Sequence, residues 1–86
     1  MRIYLTRHAQ ARMAERGIGR AQVIHVLEHP ALSEPTPQGS IKVEGTIEHA
    51  GTLKVWVAAT DGPDGTPTPS LDAHGRVIVK STAWKD

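Results

Sequence analysis

The spacing of apolar positions changes character once along this chain. From Thr6 to Leu27 apolar residues recur three and four apart, the spacing of a helix face. From Ile41 to Trp84 they alternate with polar residues in twos, the spacing of half-buried strands. Met1 to Leu5 is a short lead-in, either a small edge strand or an anchoring strap. Thr6 suits an N-cap, because its hydroxyl can accept a first-turn N–H. The first helix is predicted from Arg7 to Arg16, with Ala9 and Met13 four apart. Gly17 follows it as a left-handed stop, and Ile18 supplies the apolar contact that accompanies such a stop. The second helix is predicted from Arg20 to His29, with Val23, Ile24, Val26 and Leu27 as a wide apolar face. Pro30 ends it, because a proline drives the preceding residue out of helical geometry.

Ser33 to Ser40, punctuated by Pro35, Pro37 and Gly39, is predicted as a connection. Strands follow at 41–48, 53–60 and 76–84. Position 45 of the first is glycine, a sign of a bulge. The second strand puts Leu53, Val55 and Val57 on one face and Lys54, Trp56 and Thr60 on the other. In the third, strict alternation groups Val77 with Val79, and Ile78 with Lys80 and Trp84. The aliphatic face (Ile41, Val43, Ile47, Leu53, Val55, Val57, Val77, Val79) is the predicted core, which leaves Trp56 and Trp84 partly exposed. The segment 61–75 holds three glycines and three prolines and is predicted as one long flexible loop. The expected fold is α+β: a single domain of residues 1–86, two N-terminal helices on one face of a small curved antiparallel sheet of three to four strands.

Composition narrows the class. With 86 residues and no cysteine, disulfide frameworks and thiolate metal sites are excluded. No apolar run approaches the roughly 20 residues of a membrane span, and the N-terminus lacks the apolar region of a signal peptide. A cytoplasmic protein is expected, with no membrane partner. The net charge of +1 hides an asymmetry. Residues 1–20 carry five arginines against Glu15 alone, whereas the rest of the chain has five bases against eight acids. A basic patch of this kind attracts phosphate or an acidic partner. The plain alternative is a solvated helix face.

His8, Arg12 and Arg16 fall four apart on the first helix, in one row bordering its apolar stripe. Phosphodiester cleavage without a metal needs a proton acceptor, a proton donor and cations for the phosphate charge. Histidine suits either proton role and arginine clamps phosphate oxygens. The competing view makes His8 a helix-start residue and the arginines surface ion-pair partners. Glu44, Lys54, Trp56 and Lys80 fall on the polar sheet face, a candidate RNA platform on which bases stack against an aromatic ring. Equally, this face could be an ordinary amphipathic sheet surface. His25 and His29 have metal-sharing spacing but lack the His-Glu-x-x-His form, so no metal and no cofactor is expected.

The stretches T-R-H-A-Q-A-R-M-A-E-R-G-I, A-Q-V-I-H-V-L-E-H-P and V-E-G-T-I resemble a family of small bacterial domains of unknown function. That family is distantly similar to the RelE-like and BrnT-like ribonuclease toxins of toxin–antitoxin modules. The resemblance implies a RelE- or barnase-like helical pair over a curved antiparallel sheet, and RNA cleavage. It maps the helix-one positions onto His8, Arg12 and Arg16, and the strand Glu-Gly onto Glu44 and Gly45. Gly19, where Ser or Thr is usual, and the long 61–75 segment depart from it. On this reading His8, Arg12 and Glu44 are catalytic: His8 is acid or base and Glu44 a second proton carrier. Arg12 and Arg16 bind phosphate, and Lys54, Trp56 and Lys80 complete the substrate surface. RNA and a cognate antitoxin protein are the expected partners. The alternative is a non-catalytic protein-binding or regulatory module that uses Trp56, Trp84 and the 61–75 loop.

Overall fold

The computed structural model describes residues 1–86. Its elements are β1 (Ile3–Leu5), α1 (Arg7–Arg16), α2 (Arg20–Glu28), β2 (Leu32–Pro35), β3 (Ser40–Ile47), β4 (Gly51–Asp61), β5 (Pro67–Pro69) and β6 (Val77–Trp84). The class is α+β, two helices packed on a sheet. The sheet has six strands rather than three or four, in the order β1-β6-β4-β3-β2, with β5 paired to β4 off that path. It is not wholly antiparallel, because β1 runs parallel to β6. The three additional strands are short and carry no alternation of their own. Leu-Ser-Glu-Pro is exposed throughout, and Pro-Thr-Pro holds two prolines. They are strands because long neighbours offer them partners.

Local chemistry explains the helix ends. The Thr6 hydroxyl accepts the Ala9 N–H at 3.1 Å, and Gly17 closes α1 in the left-handed region at φ 65°. Gly19 has no side chain to cap α2. Instead the Gln22 side chain reaches back and accepts the Gly19 N–H at 2.9 Å. The α2 helix ends at Glu28, one residue short of the expected end.

The buried core joins both layers. Ala9, Met13, Ile18, Val23 and Val26 from the helical side meet Ile41, Val43, Leu53, Val55, Val57 and Val79 from the sheet, with Ile3 beside them. The predicted aliphatic face is thus the one the helices cover. Gly45 is where α2 approaches the sheet most closely, with the Val26 methyls above its Cα.

Strand β6 breaks strict alternation. Trp56 pairs with Ser81 but Val57 pairs with Val79, so Lys80 and Ser81 together oppose Trp56 in a β-bulge. The extra residue reverses the parity of everything after it. Thr82 and Trp84 therefore face the helices, opposite Val55 and Leu53. Trp84 packs against the core and donates its indole N–H to the Arg16 carbonyl at 2.9 Å. The two tryptophans lie on opposite faces, which corrects the grouping of Trp84 with Lys80.

Segment 61–75 is a hairpin extension with regular bonding. Ala59, Thr60 and Asp61 pair with Pro69, Thr68 and Pro67, and Leu71 bridges to Val77. Asp64 and Asp72 each close a turn by accepting backbone N–H groups, from Thr66 at 3.0 Å and from His74 at 2.8 Å. The 33–40 connection likewise contains β2, paired to β3 from Leu32↔Glu44 to Pro35↔Ile41.

Candidate functional site

Helix α1 runs beside β6 where β1 no longer reaches. The Thr6 N–H donates to Val79 O at 3.2 Å, the Thr6 hydroxyl to Lys80 O at 3.3 Å, and the Arg16 guanidinium to Thr82 O at 2.7 Å. These bonds satisfy carbonyls of β6 that would otherwise lack a strand partner. They also bring the first turn of α1 to the bulge, at the border of the face the helices leave open.

There a cavity of about 320 Å³ is lined by His8, Gln38, Ser40, Trp56, Lys80 and Ser81. Each element contributes for a local reason. His8 stands in the first turn after the Thr6 cap. The bulge turns Lys80 and Ser81 to the same side. Trp56 is half-buried on the open face of β4, across from Lys42. Ser40 is fixed at the start of β3, its hydroxyl 3.2 Å from that of Thr36. Lys54 lies beside the cavity, its ammonium 5.6 Å from the Trp56 ring centre, a cation–π contact. One imidazole, two ammonium groups and an accessible indole thus share one hollow of the sheet.

Besides Lys54, three of the expected residues lie outside this lining. Arg16 is committed to Thr82 O. Arg12 pairs with Glu15 at 2.9 Å, one turn along its own helix. Glu44 is buried on the open face at 5% exposure, held by Lys85 at 3.1 Å and Lys42 at 3.4 Å. The Lys85 ammonium above all, then Lys42, keeps the Glu44 carboxyl below the usual glutamate range, against the opposite pull of burial. A carboxyl held ionised by two lysines is a poor proton donor. Lys42 is in turn shifted upward, chiefly by its bond to Glu34. Sequence reasoning missed Gln38, Ser40 and Ser81. Only the turn between β2 and β3 and the bulge bring them to the hollow; Pro37 and Gly39 mark the turn, but the bulge has no residue signature.

A larger hollow of about 490 Å³ opens between α2 and β3, lined by Ala21, Gln22, His25, Thr46, Ile47 and Glu48. It has an imidazole and a carboxylate but no cation. His25 and His29 sit with ring centres 4.9 Å apart. No group of three or more His, Asp or Glu side chains comes together in a metal-binding arrangement. No helix is long and apolar enough to cross a membrane.

Fold and site together define a small α+β domain whose one open sheet face carries a His–Lys–Trp cluster at its helix-bordered edge. The chain belongs to the family described as Domain of unknown function (DUF4258), whose model matches residues 5–68. That match runs from the end of β1 into β5, including His8, Gln38, Ser40 and Trp56 but not Lys80 or Ser81. No curated protein and no solved structure matches the chain.

Proposed function

We propose that this chain is an RNA-directed protein of the ribonuclease-toxin type, acting without a metal on single-stranded RNA at the open sheet face. The observation that carries this reading is the shared cavity of His8, Trp56 and Lys80. A base stacks on the exposed side of Trp56, and the Lys80 and Lys54 ammonium groups draw in the backbone phosphate. His8 takes the proton of the 2′-hydroxyl, whose oxygen attacks phosphorus. The bond from phosphorus to the 5′-oxygen breaks, and that oxygen takes a proton from water. The products are a 2′,3′-cyclic phosphate and a free 5′-hydroxyl. Arg16 and Glu44 support the sheet and do not act in this step. The distant similarity to RelE-like and BrnT-like toxins that the sequence resemblance implies for the family points the same way, and a cognate antitoxin would act by covering this face.

The test uses purified protein, a single-stranded RNA and a chelator. Cleavage to cyclic-phosphate ends is expected, lost in His8→Ala with binding retained. Trp56→Ala is expected to weaken binding by about 1–3 kcal/mol, the worth of one stacked base. Failure of the intact protein to retain RNA at low salt sinks the reading. The non-catalytic alternative keeps Trp56 and the 60% exposed Leu71 as contact residues but loses Trp84 to the helix side.

A further inference from the structure

A second hollow of about 350 Å³ lies along β1, lined by Ile3, Tyr4, Leu5, Gln10, Arg20 and Arg76. Both guanidinium groups in it are held in place. Arg20 reaches from the start of α2 and donates to Ile3 O at 3.0 Å. Arg76 donates through Nε to Asp72 at 2.7 Å and lies 5.0 Å from the centre of the Tyr4 ring. Each arginine has five N–H donors, so most of each fork stays free. Anchoring has already removed side-chain freedom that an incoming anion would otherwise have to freeze. Arg2 adds charge nearby, its guanidinium 3.9 Å from the Cβ position of Gly75. Only Asp72 offsets this cluster by direct contact.

Tyr4 joins the hollow to the open face. Tyr4 is 43% exposed and pairs with Ile78 on the side away from the core. Lys80 follows Ile78 two residues on, about 7 Å along β6, with β1 about 5 Å to the side.

We infer that Arg20 and Arg76, flanking Tyr4, form a second phosphate site that holds the backbone of the strand whose neighbouring nucleotide occupies the His8–Trp56 hollow. The assignment of the strand as RNA rests on the function proposed above, whereas the phosphate site itself does not. Two planar forks, Arg76 held over the Tyr4 ring and Arg20 tied to a backbone carbonyl, suit the oxygens of phosphate more than a single diffuse charge.

The deciding probe is inorganic pyrophosphate, titrated calorimetrically into the full chain. Arg20→Gln with Arg76→Gln is expected to weaken its binding tenfold or more, and Trp56→Ala to leave it unchanged. Asp72→Asn keeps an acceptor oxygen for the turn but loses the Oδ2 that anchors Arg76 Nε, so the fork is no longer held in place and weaker pyrophosphate binding is expected. That variant decides the matter if the arginine variants fail to fold. With a single-stranded RNA of twelve nucleotides, the double variant should lower the salt slope by about 0.7 for each phosphate it no longer neutralises. Unchanged pyrophosphate affinity in a folded double variant overturns the site. So does a polyglutamate peptide that binds as tightly as pyrophosphate, which would make an acidic protein the ligand. Pyrophosphate binding that persists while Trp56→Ala and His8→Ala leave RNA handling untouched upholds the arginine site and condemns only the groove reading.

Discussion

A Cβ placed on Gly45 would stand 3.3 Å from both methyl groups of Val26 and 3.4 Å from the carbonyl oxygen of His29. Glycine is needed here for closeness, since its φ is not in the left-handed region. Gly45→Ala is expected to cost about 1–3 kcal/mol by overpacking. Val26→Ala should recover part of that loss, so the double variant should be more stable than additivity predicts. Urea midpoints measure both; a Gly45→Ala protein with an unshifted midpoint contradicts the packing described.

Thr82 is wholly buried, and its hydroxyl has no hydrogen-bond partner. Thr82→Val keeps the shape and removes the unsatisfied group. A gain of about 1 kcal/mol is expected, seen as a melting temperature raised by about 4–8 °C for a domain of this size. A lower melting temperature would mean that the hydroxyl is satisfied after all.

Arg16 ties α1 to β6 through Thr82 O. Arg16→Met should therefore lower the urea midpoint by an amount equivalent to about 1–2 kcal/mol. The salt dependence of RNA binding should not move, because this guanidinium holds no phosphate. A changed salt slope with unchanged stability would restore Arg16 to the substrate surface.

The Glu44 carboxyl titrates below its ordinary value because Lys85 and Lys42 favour its charged form. A folded-state value below the unfolded one stabilises the fold above the unfolded value, about pH 4.3. That contribution is lost as pH falls through the lower, folded value. Glu44→Gln should therefore be less stable than the parent at neutral pH, with the gap closing in acid below about pH 4.3. Parallel stability curves across that range would show that the lysine pair gives Glu44 no such shift.

Both helices were legible because each has a strong local stop, Gly17 and Pro30, and Thr6 marks the start of the first. The long strands and the buried face were legible because Ile41, Val43, Leu53, Val55 and Val57 alternate cleanly. β2 and β5 were not, since their three or four residues owe their conformation to a neighbour, whereas β1 was legible only as one of two options, a small edge strand or a strap. The bulge was invisible because Lys80-Ser81 carries no glycine or other mark. That single omission misplaced Trp84. At the site, the sequence offered His8, Trp56 and Lys80 through charge, aromaticity and face. It also offered Arg12, Arg16 and Glu44, because helical spacing and face parity say nothing of which partner already holds a side chain.

The extra residue in β6 also constrains how this strand can vary in length. Removing one residue between Val79 and Thr82 would erase the bulge and leave regular alternation, with Thr82 and Trp84 still facing the helices opposite Val55 and Leu53. Removing two would put Thr82 across from Trp56, turn the indole of Trp84 out to the open face and break its bond to Arg16. The bulge thus sets two side chains, Lys80 and Ser81, on the open face at the position where a regular strand would offer one.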